Sequence, residues 1–184
     1  MESSDAEVPV ADMGAGVRAR DAVAAIVTGQ LAGLAMLATM MIFAALEGMA
    51  LLDPLRAIGS IVFGVSGLRP GAETVWVGLI VHQFVFSLFW SLVFAALVQQ
   101  ASRRNLFSVT ALGFGDPWGA AILGLLVGMT SNLLDVVIVM PAIAQDAAWI
   151  DMFLGLKSWF CHFVFGVVLA TFPWVRQSLF PPRT

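Results

Sequence analysis

The chain has 184 residues, of which 60% are hydrophobic and 11% charged, with a formal net charge of −3 and a mean hydropathy of +0.93. A soluble fold must cover itself with polar side chains, and this composition cannot do so, which makes lipid its natural solvent. The nine Lys and Arg are scattered, so no basic patch exists to bind nucleic acid, and a single cysteine, Cys161, excludes an intramolecular disulfide and a cysteine-rich metal motif.

Residues 1–21, MESSDAEVPVADMGAGVRARD, are acidic, small and polar and lack the basic start of a secretory signal; they read as a flexible cytoplasmic tail. A spanning helix needs about 20 predominantly apolar residues. Four stretches meet that requirement: Ala22 to Leu52, Thr74 to Gln99, Pro117 to Met140 and Ala148 to Trp174. Asp53-Pro54 is read as the stop of the first, Arg69-Pro70-Gly71 as the lead into the second, Asp116-Pro117 as the start of the third and Pro141 as its end. Between the first two spans the apolar run Ile58 to Val65 is too short to cross and suits an interfacial or re-entrant helix. A second surface segment is expected within SRRNLFSVTALGFGD, and residues 176–184 form a short cytoplasmic tail.

Arg18, Arg20, Arg103, Arg104, Arg176 and Arg183 fall on the side of both termini, against Arg56, Arg69 and Lys157 on the other. The positive-inside rule then places both termini in the cytoplasm. Trp76, Trp118, Trp149 and Trp174 sit near span ends, as an interfacial aromatic belt requires. The expected fold is all-α, a four-helix up-and-down bundle.

Helices in lipid approach closely through small side chains and polar contacts. Ala25, Gly29 and Gly33 recur at helical spacing on the first helix, and Gly124, Gly128 and Asn132 on the third; Gly155, Ser158, His162, Gly166 and Ala170 form a similar stripe on the fourth. These are the expected packing surfaces. Gln83, beside His82, is an expected interhelical hydrogen-bonding group.

Ionisable residues inside spans are costly and count as functional candidates. One comes from each helix: Glu47, His82, Asp135 and His162, all expected in the outer half of the bilayer, with Glu47 and Asp135 about 8 Å from the outer helix ends at 1.5 Å per residue. Two imidazoles and two carboxylates form a candidate site for a transition metal such as Fe, Zn or Cu. His82 and His162 alone are candidate ligands of haem b, with Phe84, Phe86, Phe160, Phe163 and Phe165 as its pocket. Against both stands a simpler reading, in which the histidines donate hydrogen bonds to Asp135, Glu47 or a backbone carbonyl and pin the bundle. One such residue per helix, with no ExxH pair, favours the pinning reading and a protein without cofactor. Lys157 is expected to reach the outer surface beside Asp151, and the methionines, Met36, Met40 and Met49 among them, to pack or face lipid.

No GxSxG, HExxH, Walker or GxGxxG element occurs, so the sequence gives no sign of an enzyme. No internal repeat or proline-broken helix pair marks a transporter of protons or small solutes. GLIVHQFVFSLFWSLVFAAL in the second span and CHFVFGVVLA in the fourth resemble the His-containing helices of small bacterial inner-membrane proteins of the YagU-like kind. That resemblance, over residues 24 to 172, implies a four-helix fold, a bacterial origin and a fold role for the two histidines, and lends no catalytic residue. The function expected from these features is that of a structural or accessory subunit packed against a larger membrane complex, such as one of energy conversion. A haem- or metal-binding protein using His82 and His162 is the alternative.

Overall fold

A computed structural model describes residues 10–64, 71–103, 117–139 and 155–181. Helix α1 is Val10–Leu46 and α2 is Asp53–Phe63. Helix α3 runs through Ala72–Ile80, a π-helical stretch Val81–Ser87 and then Leu88–Arg103. Helix α4 is Pro117–Ser131, continued by a second π-helical stretch, Asn132–Val139. Helices α5 and α6 are Leu156–Leu169 and Phe172–Leu179. Four segments are long and apolar enough to cross a membrane: Ala19–Leu46, Ala72–Ala101, Gly119–Ile138 and Leu156–Leu179. The chain is a multi-pass, all-helical membrane protein.

Three boundaries differ from the sequence reading. Helix α1 begins upstream of Ala22, at Val10, within the stretch read as tail. It ends at Leu46 rather than at Leu52, because Gly48 adopts a left-handed φ of 74° that a continuing helix cannot contain. Asp53-Pro54 therefore starts α2 instead of stopping α1: proline suits a first turn, and the Asp53 carboxylate accepts the Ala50 N–H at 2.9 Å and pairs with Arg56 at 2.6 Å. The fourth span breaks at Thr171, ahead of Pro173 in the first turn of α6. Its expected start at Ala148, Trp149, the segment 104–116 and Pro141 lie outside the described residues.

Contacts fix the directions of the helices. Gln30 of α1 meets Gln83 of α3, and just past the end of α1 Glu47 meets Lys157 of α5, while Asp21, toward the other end, meets Arg176 of α6. Gly124 faces Ala170 and Gly128 faces His162. Helix α1 is thus antiparallel to α3 and α5, and α4 is antiparallel to α5. One apolar core lies toward the Asp21 end, built on Ala24, Ala25, Trp90, Phe94, Leu169 and Phe172, with Phe94 and Phe172 edge to face at 5.6 Å. A smaller cluster of Met40, Ile58 and Cys161 lies toward the other end.

Packing follows the glycines. A Cβ at Gly29 would strike Ser91 and one at Gly33 would strike Ser87 and Gln83. At Gly124 it would meet the Ala170 nitrogen at 2.7 Å and the Gly166 oxygen at 2.8 Å. Close approach of this kind is what lipid-embedded helices rely on. Asn132, fully buried, accepts a hydrogen bond from Ser158 across α4 and α5. Gly155 is the exception among the expected packing residues: nothing lies within 4 Å of its Cβ position, and its φ of 115° serves the start of α5. Helix α2, about 16 Å long at 1.5 Å per residue and so too short to cross, lies against α3, where Cβ atoms on Gly59 and Gly78 would strike the Thr74 and Leu55 carbonyls. Two threonine hydroxyls of α1 return to their own helix, Thr28 to Ala24 O at 2.7 Å and Thr39 to Ala35 O at 2.9 Å, which leaves neither donor facing lipid.

Candidate intramembrane site

A cavity of about 110 Å³ lies in the half of the bundle toward Glu47. Its lining includes all four ionisable residues singled out above, Glu47, His82, Asp135 and His162. The backbone is locally unusual where two of them enter. His82 lies in the π-helical stretch of α3, Asp135 in that of α4. A π-turn admits an extra residue per hydrogen-bonded ring and re-aims the side chains there. Ser87 Oγ, five residues on, donates to the His82 carbonyl at 2.9 Å and steadies the first of these stretches.

The carboxylates are already engaged. Asp135 Oδ2 accepts the Trp90 indole N–H at 2.7 Å, linking α4 to α3. Glu47 forms an ion pair with Lys157. Because α1 ends at Leu46, Glu47 stands at the helix end rather than about 8 Å inside it, and its side chain is 39% exposed. Lys157 pairs with Glu47; Asp151, beside which it was expected, lies outside the described residues. Among the described residues no three His, Cys, Asp or Glu side chains gather closely enough to hold a metal. The four residues share a cavity, then, but not one coordination sphere.

Of the acceptors expected for the histidines, a backbone carbonyl is met by His162, within its own helix. His162 Nδ1 lies 2.9 Å from the Ser158 carbonyl of its own helix. A carbonyl only accepts, so Nδ1 carries the proton and the neutral ring keeps its lone pair on Nε2. Gln83 Nε2 donates to the Gln30 carbonyl at 2.7 Å, which leaves Gln83 Oε1 as an acceptor toward His82 Nδ1, a long contact of 3.4 Å. His82 therefore also holds its lone pair on Nε2. Neither Nε2 has a hydrogen-bond partner among the described residues, and both rings, though buried, line the cavity. Helix-to-helix pinning falls to others: the reciprocal Gln30 and Gln83 amides, Trp90 with Asp135, and Ser158 with Asn132.

The volume also bears on haem. A cavity of about 110 Å³ is smaller than the ~150 Å³ space that admits benzene, and a porphyrin is several times larger. Of the five phenylalanines expected to flank a haem, only Phe86 and Phe165 line the cavity, while Phe84, Phe160 and Phe163 are exposed on the outer surface. Met36, Met40, Met49 and Cys161 do line it. Their convergence had no signal in the sequence, since each methionine stands in an apolar run away from any His or Cys.

The Trp90 to Asp135 bond gives a direct check on this geometry. Trp90→Phe keeps an aromatic ring but leaves the partly buried carboxylate without its donor, and should cost about 1–3 kcal/mol in thermal unfolding measured in mild detergent. An unchanged unfolding temperature would mean that the bond is not made.

In comparisons with known proteins, no family model matches the chain, and no curated protein or solved structure matches it. Fold and site together define a class, a four-pass helical membrane protein with a largely apolar cavity whose wall carries a few ionisable side chains; of the expected resemblance only the four long apolar helices are shown.

Proposed function

We propose that this chain binds a transition-metal ion in its intramembrane cavity, with His82 and His162 as donors. The observation that carries the reading is the state of the two imidazoles. Both line one cavity, both have Nδ1 engaged within their own helix, and both keep an Nε2 lone pair without a partner among the described residues. Metal-ligating histidines have their second nitrogen oriented by a carbonyl or similar acceptor in this way. A buried ring that serves only packing is more economically replaced by an apolar one.

In the same reading the four spans form an up-and-down bundle in a bacterial inner membrane, with both termini cytoplasmic, α2 in the outer interface and the cavity in the outer half of the bilayer. The protein is not an enzyme. The competing reading, an accessory subunit of a larger complex, draws on small-residue stripes in excess of what four helices need. Those stripes are engaged inside this chain, at Gly29, Gly33, Gly124, Gly128 and Gly166, so that support for a partner falls away.

The test is metal analysis and equilibrium dialysis on the full chain in mild detergent, with mass spectrometry of co-purifying chains. One equivalent of a first-row ion is expected, lost in His82→Gln and in His162→Gln while circular dichroism stays unchanged. A metal-free wild type that also takes up no ion in dialysis would overturn the reading, and stoichiometric partner chains would then favour the accessory subunit.

A further inference from the structure

The identity of the ion follows from which donors the fold leaves free. Glu47 is paired with Lys157 and Asp135 has one of its two carboxylate oxygens bonded to Trp90, so one carboxylate is neutralised and the other partly engaged. Among the described residues the wall also carries two imidazoles, which suit copper, zinc and iron alike, and the soft thioethers of Met36 and Met40 with the thiol of Cys161. Met36 and Met40 stand one turn apart on the same face of α1; Met40 belongs to the apolar cluster that contains Cys161, and Met36 packs against it. Zinc or iron(II) wants four or more ligands drawn from N, O and thiolate, and the described residues assemble no three His, Cys, Asp or Glu for one. A low-coordinate soft ion has no such need.

Charge points the same way. Burying an ion in a bilayer is tolerable only when its charge is closely balanced. Glu47 and Lys157 cancel each other, the imidazoles are neutral donors, and Asp135 is the one remaining carboxylate on the cavity wall among the described residues. A single negative charge balances a monovalent cation and leaves a divalent one unbalanced.

We infer that the cavity binds one copper(I) ion, held by the Nε2 atoms of His82 and His162 and a thioether of Met36 or Met40, with Asp135 as counter-charge. The inference rests on the metal-binding reading above and narrows it to a soft, singly charged ion. No electron transfer is involved, since the ion binds as copper(I).

The experiment compares copper(I), kept reduced with ascorbate under anaerobic conditions, with zinc(II) and iron(II) for binding to the full chain in detergent. X-ray absorption at the copper edge then reports nitrogen and sulfur neighbours. Copper(I) is expected to bind at one equivalent in preference to the other two. The double variant Met36→Leu/Met40→Leu, which conserves volume, should lose the sulfur signal and bind copper(I) about tenfold or more weakly, a change of about 1.4 kcal/mol or more, with its helical content intact. Preferential binding of zinc(II) or iron(II) through the histidines would overturn the copper(I) assignment and leave the metal-binding reading standing. Copper(I) binding with no sulfur neighbour, unaltered in the double methionine variant, would also overturn it. Binding of none of the three ions would sink both.

Discussion

Arg176→Met is expected to be among the most destabilising single substitutions in the molecule, costing about 3–5 kcal/mol in detergent unfolding. Asp21 and Arg176 form an ion pair that ties α1 to α6, with side chains only 10% and 13% exposed. Removing the guanidinium strands the Asp21 carboxylate beside the apolar core of Ala24, Ala25 and Phe172, where desolvation has no compensation. The double variant Asp21→Leu/Arg176→Met should recover most of the loss, because an apolar pair in place of a buried ion pair is often neutral or better. A double variant as unstable as the single one would show that the destabilisation comes from lost packing or from another contact of Arg176, and that the ion pair contributes little.

That pair also marks where sequence reading stopped. Hydropathy located four spans because a lipid-embedded helix declares itself by the length of its apolar run, whatever it packs against. The packing residues Gly29, Gly33, Gly124, Gly128, Asn132, Ser158 and Gly166 were equally legible, since small residues at helical spacing have few other uses in a membrane. Pairings between helices were not. Asp21 and Arg176 sit in stretches that read as tails, and nothing local says that a helix extends through one of them to bury the carboxylate. Glu47 looked intramembrane because Gly48, whose left-handed φ ends α1, lies inside an apolar run that hydropathy alone carries on to Leu52. The π-helical stretches at His82 and Asp135 carry no proline or glycine to announce them. The four ionisable residues do share one cavity, although Glu47 stands at the end of α1 and not at the depth expected for it. Which of them remain free to bind depended on partners supplied by other helices, Trp90 for Asp135 and Lys157 for Glu47, and such partners cannot be read from spacing along one.

Gly128→Leu should uncouple α4 from α5 and, on the metal-binding reading proposed above, remove the metal site with it. A Cβ at Gly128 would lie 2.5 Å from the His162 carbonyl oxygen and 2.8 Å from Gly166 Cα. Both obstacles are backbone, so no side chain can rotate away, and the helices must part by about 1 Å for a single carbon to reach ordinary contact. Leucine adds three further carbons. The cost should exceed the roughly 1–3 kcal/mol typical of overpacking, and the expected result is little folded protein recovered from mild detergent. Gly128→Ala separates the two consequences. It should remain folded at a reduced unfolding temperature, yet lose metal affinity in addition, because the displaced element is the turn that carries His162 while His82 stays on α3. Leu126→Ala, on the same helix but facing outward at 57% exposure, should change neither. If Gly128→Ala lowers stability without touching metal affinity, the distance between the two imidazoles does not matter to binding, and the site must be held by one histidine and the sulfur ligands of α1.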